Sequence, residues 1–213
     1  AITETRAAQV TLGMVEMALY RFLEKVGVVP DMLAGHSYGE LVALTAAGVL
    51  KPDNLLNLSQ ARGESILKAI GDEPGTMAAV NSDAETVRTL LETIEGIVIA
   101  NENSPIQTVI SGSTSAIEAA LSKLNETDLT VRKIKVACAF HSPLISRAQN
   151  YFAEVLAPIS VQAPQRTVYS NTTAQPYPTQ ADAIKKRLAE HLVKPVQFSK
   201  QIKAMYDAGA RIF

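Results

Sequence analysis

Apolar residues recur at steps of three and four near the start of the chain. Val15, Leu19, Phe22 and Val26, with Met14, Ala18 and Leu23 alongside, predict a helix over residues 5–26. Gly27 suits its C-cap, and Pro30 leads into a short strand at Asp31-Met32-Leu33-Ala34. Glu40 to Ala47 reads as a helix stopped by Gly48, and Pro52 fits the first turn of a second helix running to about Ile70. The pattern then changes. Strands are expected at Thr76–Val80, Ile97–Asn101, Gln107–Ser111 and Leu129–Val136, with helices at Ala84–Thr93 and Thr114–Leu124 between them. From His141 the helical period returns over Leu144–Leu156, then after a strand candidate at Val168–Asn171 over about 181–191 and 198–208. Ala210-Arg211-Ile212-Phe213 is strand-like.

The middle block has the order βαββαβ, the signature of a ferredoxin-like unit entered through the turn-rich Gly71-Asp72-Glu73-Pro74-Gly75. The expected fold class is therefore α/β. An α/β-hydrolase-like large subdomain with a short parallel sheet, residues 1–73 and 138–213, is interrupted by a ferredoxin-like small subdomain, residues 74–137.

Composition narrows the function. The 213 residues are 47% hydrophobic, enough for a core, and the net charge of -1 argues against a nucleic-acid partner. The single cysteine, Cys138, excludes an internal disulfide and suits a reducing, cytoplasmic setting. No apolar run approaches the roughly 18 residues of a membrane span, and the first residues lack signal-peptide character. Both ends read as cut from a longer protein.

Chemistry concentrates at Gly35-His36-Ser37-Tyr38-Gly39, which fits the Gly-x-Ser-x-Gly nucleophile elbow between the strand at 31–34 and the helix at 40–47. A turn this tight calls for residues without bulk at positions 35 and 39, and it aims the Tyr38 backbone N–H at a developing oxyanion. The serine needs a base. His36 is its immediate neighbour and points to another face; His191 lies in a charged helical stretch and is expected in solvent. His141, at the return from the small subdomain, remains, against the plainer reading of a histidine packed at a boundary. No acid is obviously placed for a triad, so a Ser37–His141 dyad with the imidazole held by a backbone carbonyl is expected. Arg62 falls within the apolar stripe of Leu55, Leu58, Ser59, Ile66 and Ile70. Either it makes a structural salt bridge or it clamps a substrate carboxylate.

These segments resemble the acyltransferase domain of polyketide and fatty-acid synthases, the malonyl-CoA:acyl-carrier-protein transacylase family. Gly35-His36-Ser37-Tyr38-Gly39-Glu40 resembles its Gly-His-Ser-x-Gly-Glu motif, and Gln60-Ala61-Arg62-Gly63 the segment of its carboxylate-binding arginine. Ala139-Phe140-His141-Ser142-Pro143 is similar to its catalytic-histidine motif. Asn103-Ser104-Pro105, Tyr169-Ser170-Asn171 and Lys194-Pro195-Val196-Gln197-Phe198 match further landmarks.

The resemblance implies transfer of a malonyl group from CoA to the phosphopantetheine thiol of an acyl carrier protein through an acyl-serine, with no cofactor and no metal. It implies Ser37 and His141 as catalytic residues, Tyr38 N–H in the oxyanion hole, Arg62, Phe140 and His36 at the substrate, and the Gln197 carbonyl orienting His141. Phe140 goes with an unbranched malonyl unit. The implied partners are the carrier protein, malonyl-CoA and neighbouring ketosynthase and other synthase domains, with no nucleic acid and no membrane. Two family segments have no counterpart here: an initial Gly-Gln-Gly, whose glutamine supplies a second oxyanion donor, and a later Glu-Val-Gly-Pro-Gly. Cys138 stands where many members carry histidine, and Tyr38 where many carry a smaller aliphatic. The rival readings are a serine hydrolase or editing thioesterase, and a catalytically silent docking module.

Overall fold

The computed structural model describes residues 4–213. Helix α1, Thr5–Lys25, opens with the Glu4 carboxylate accepting from the Arg6 and Ala7 N–H groups. Strand β1, Met32–Leu33, leads through the elbow into α2, Gly39–Ala46, and α3 follows at Pro52–Ala69 with proline in its first turn. Then come β2 (Thr76–Val80), α4 (Ala84–Leu91), β3 (Ile97–Ser104), β4 (Gln107–Gly112), α5 (Thr114–Asn125) and β5 (Val131–Ile134). A 3₁₀ turn at Pro143–Ile145 runs into α6, Ser146–Leu156; β6 (Thr167–Val168), α7 (Ala181–Glu190) and α8 (Phe198–Asp207) complete the order.

The architecture is mixed α/β with two sheets. β1 and β6 form a small parallel pair, Met32 opposite Thr167 and Leu33 opposite Val168. The other four strands form an antiparallel sheet in the order β3-β4-β2-β5. Each sheet has its own core. Leu41, Leu44, Leu58, Ile66, Phe152 and Ile184 anchor the first, where α2, α3, α6 and α7 meet. Ala78, Val80, Ile110, Val87, Ile117 and Leu124 fill the second, where α4 and α5 cover one sheet face. The other face, with Met77, Ala100 and Val109, meets Phe140. Backbone bonds tie the two parts together: Val196 N–H donates to Ala100 O, Glu102 N–H to Val196 O, and Ala139 N–H to Pro74 O. The cleft lies along this seam.

Two expectations are corrected here. The period over residues 5–26 is helical, but its apolar stripe does not enter the core. Val15, Leu19 and Phe22 are more than half exposed, whereas Thr5, Gln9, Gly13 and Met17 face inward. Gly13 lets α1 approach so closely that a Cβ there would overlap the Tyr38 hydroxyl. Residues 210–213 form no strand; they are extended coil, and Ile212 and Phe213 are exposed.

Candidate active site

The elbow is built from its backbone outward. A Cβ on Gly35 would overlap the backbone of Gly39 and Glu40, so glycine is required there. Gly39 is different: a Cβ would meet only the Glu16 carboxylate, at an ordinary 3.5 Å, so the expected symmetric need for two small residues is halved. Ser37 itself takes φ 48° and His141 takes φ 56°, both in the left-handed region that L-residues avoid. Strain of this kind costs roughly 1–3 kcal/mol per residue and persists only where the surroundings impose it.

Asn171 does much of that imposing. Its Oδ1 accepts from the Ser37 N–H at 2.7 Å, and its Nδ2 donates to Gly35 O at 2.7 Å, so one amide straddles the turn. Gln201 holds that amide in turn, accepting from Asn171 Nδ2 while donating to Tyr169 O.

Ser37 Oγ stands 2.9 Å from His141 Nε2. His141 Nδ1 lies 3.1 Å from His191 O and 3.0 Å from Lys194 O. Two carbonyls at Nδ1 require its hydrogen, so Nε2 is the bare nitrogen and accepts from the Ser37 hydroxyl. Gln197 is not the orienting residue: its carbonyl accepts from Gln201 N–H, and its own N–H donates to Asn171 O. His191 and Lys194 lie where the chain leaves α7, and that bend brings their carbonyls to the imidazole. Burial, followed by repulsion from His191 and Arg62, holds the His141 pKa well below the ordinary histidine range. The ring is therefore neutral at pH 7, as a base must be.

Tyr38 caps α2, and among the described residues nothing accepts from its N–H. Its side-chain hydroxyl sits 2.6 Å from Ser59 Oγ, which donates to Leu55 O. The Tyr38 O–H therefore donates to Ser59, and this joins the elbow to α3.

Arg62, on α3, is 4% exposed. Its Nη1 donates to Gln9 Oε1 at 2.9 Å, and the guanidinium is 6.0 Å from the Tyr38 ring centroid. Among the described residues no carboxylate pairs with it, so the structural salt bridge is not formed. Burial pulls its pKa down to about 10, which leaves it charged at neutral pH. It opens on a cleft of about 340 Å³ that also borders Ser37, His141, Phe140, His36 and Gln9. His36 is exposed, with Nε2 2.7 Å from Asn103 Oδ1 and its ring edge-to-face with Phe198 at 5.2 Å. Phe140 is half-buried on the cleft wall. Cys138 is fully buried, and burial pushes its thiol up to about 12, so it is no rival nucleophile. Among the described residues no cluster of His, Cys, Asp and Glu could hold a metal, and no helix is long and apolar enough to cross a membrane.

His191 is the clearest departure. It is 1% exposed rather than solvated, packed against the buried Glu40. Sequence reasoning also passed over Asn171, Gln9 and Gln201 as functional groups. Glu40 and Asn171 lay inside quoted motifs, which was signal enough to find them; Gln9 and Gln201 carried none.

A strained serine with its own neutral base, beside a buried cation open to the same space, defines a serine acyl-transfer centre. Comparison with known proteins agrees, and the chain belongs to the family described as the acyl transferase domain, whose sequence model matches residues 1–213. It is 35% identical over 202 residues to a polyunsaturated fatty acid synthase polypeptide of Thraustochytrium, covering 92% of this chain and 7% of that protein. It is 34% identical over 219 residues to the malonyl CoA-acyl carrier protein transacylase of Bacillus subtilis, covering 100% of this chain and 68% of that protein. Among solved structures, the malonyl CoA-acyl carrier protein transacylase of Coxiella burnetii superposes with a TM-score of 0.94 at 30% identity, over 100% of this chain and 69% of that one. The chain thus spans a small part of the synthase and about two thirds of the transacylases.

Proposed function

We propose that the protein transfers a malonyl group from CoA to the phosphopantetheine thiol of an acyl carrier protein. The observation that carries this reading is Arg62, a buried guanidinium with no carboxylate partner, facing the same cleft as the Ser37–His141 pair. A thioester bearing a free carboxylate meets both. Arg62 takes the carboxylate in a forked contact, leaving the thioester carbon at the serine. His141 Nε2 removes the Ser37 proton as Oγ attacks. The Tyr38 N–H stabilises the oxyanion at the positive end of α2. Collapse breaks the C–S bond, and the proton on His141 passes to the departing CoA sulfur. The carrier thiol then gives its proton to His141 and attacks the malonyl-serine, and the same steps run backwards. No cofactor enters this scheme, and no metal does.

Acetyl-CoA lacks the second carboxylate and would leave a buried cation unpaired, a strong ground for rejection. Phe140 narrows the wall beside the acyl group, which favours an unbranched unit, and exposed His36 stands at the cleft edge where the acyl chain enters. The antiparallel sheet order β3-β4-β2-β5 with α4 and α5 on one face suits a ferredoxin-like small subdomain over residues 74–137, set in an α/β-hydrolase-like large one. Neighbouring ketosynthase and carrier domains would accompany it in a synthase, in the cytoplasm, where the lone thiol of Cys138 stays reduced.

Mass spectrometry after incubation with malonyl-CoA tests this directly. A malonyl adduct should appear on Ser37 and be absent from Ser37→Ala. An adduct that survives the substitution removes Ser37 from the mechanism. Release of free malonate in place of carrier acylation would favour the hydrolase.

A further inference from the structure

Five polar contacts close into a ring behind the reacting hydroxyl. Ser37 Oγ meets His141 Nε2 at 2.9 Å, and His141 Nδ1 meets His191 O at 3.1 Å. His191 Nδ1 stands 2.8 Å from Glu40 Oε2, a close approach that lies off the line of a straight hydrogen bond. Glu40 Oε1 accepts from Asn171 N–H at 2.7 Å, and Asn171 Oδ1 accepts from Ser37 N–H. Glu40 and His191 are both fully buried, and neither lines the cleft.

Burial opposes charge on Glu40, yet His191, the Asn171 N–H and Tyr177 together hold its carboxyl below the usual carboxylate range. A buried anion needs a cation, and the group in contact is His191. The His191 ring is also 5.4 Å from the His141 ring. The other ionisable groups around this pair are Tyr177, Arg62 of α3, and Arg187 of α7.

We propose that His191 is a positioning residue of the acyl-transfer centre: its carbonyl fixes the His141 tautomer, and its ring, charged against Glu40, keeps His141 an unprotonated base. The proposal rests on the transferase reading above. A second positive charge on His141 would sit beside the first, so His141 resists protonation and stays competent in mild acid. The carbonyl link needs only the backbone. The charge link needs the imidazole, and it can be tested by substitution.

The readout is the pH profile of acyl-serine formation from malonyl-CoA. In His191→Asn the amide nitrogen takes the place of Nδ1 and can still donate to Glu40, but it carries no charge. The acid limb should move upward by on the order of one pH unit. Above that limb the rate should stay within about threefold of wild type, since the carbonyl is intact. His191→Gln, which also donates without charge, should repeat the shift and serves if the first variant does not fold. A limb that stays in place or moves downward overturns the proposal. If neither variant folds, the pair is structural and the proposal also falls. A wild-type protein that forms no acyl-serine overturns the transferase reading itself. A wild type that acylates, beside variants with an unmoved limb, overturns this inference alone.

Discussion

Arg62 shows how one side chain can divide binding from chemistry. It touches neither the Ser37 hydroxyl nor its base in the hydrogen-bond network; it is held by Gln9 and left without an anion. A neutral acceptor such as glutamine orients a guanidinium without cancelling its charge, so the charge remains for a ligand. Arg62→Ala should therefore raise the malonyl-CoA KM by roughly 10- to 100-fold, the worth of about 1.4–2.7 kcal/mol of a buried charge-assisted contact. Acetyl transfer should be little changed, so the selectivity ratio collapses. Steady-state rates with the two thioesters decide it, and a ratio that survives the substitution returns Arg62 to a structural role. The arginine was legible in the sequence because a cation on an apolar stripe needs a reason. Gln9 was not, because an amide on a helix full of apolar residues looks like a solvated position. Only the rotation of α1 reveals that the polar side faces inward.

That rotation belongs to the scale of elements. Helical period is a local property, and α1 displays it; which face is buried depends on what lies across from it, and the sequence holds no such record. α1 meets α2 and α3 through Gly13 and Met17, and the Tyr38–Ser59 hydrogen bond sits in that contact. Gly13→Ala should then destabilise the protein by about 1–3 kcal/mol, because the added methyl drives into the Tyr38 hydroxyl. In a Tyr38→Phe background the same methyl has no oxygen to displace, and the loss should shrink. Urea unfolding of the two singles and the double measures this coupling, and additive losses would show that Gly13 and Tyr38 do not share the space. The βαββαβ order was readable for the opposite reason: each strand and helix there buries its own apolar face on immediate neighbours, as Ile110 and Ile117 do. The elbow was readable because Gly35 has a steric necessity. The orienting carbonyls at His191 and Lys194 were not, since every residue has a carbonyl and no side chain marks the ones that will matter.

At the scale of the molecule, acid should act through the site. The His141 pKa is depressed in the folded chain, while the unfolded chain takes up its proton below about pH 6.5. Stability is thus full above that value and is lost as pH falls below it. Glu40, also depressed, adds its loss only further down, below the ordinary range near 4.5. Between pH 6.5 and 5 the thermal midpoint should fall by about 3–5 °C per pH unit, and His141→Gln should flatten that slope. A wild-type midpoint that is level across this window would contradict a neutral, buried His141. The ring of contacts behind Ser37 has a further consequence. Its members come from residues 37–40, 141, 171 and 191, so no fragment and no half-formed state contains all of them. Reactivity toward an alcohol-seeking phosphonate reagent would consequently switch on late in renaturation, and the labelled fraction would serve as a head-count of molecules that have reached the native state.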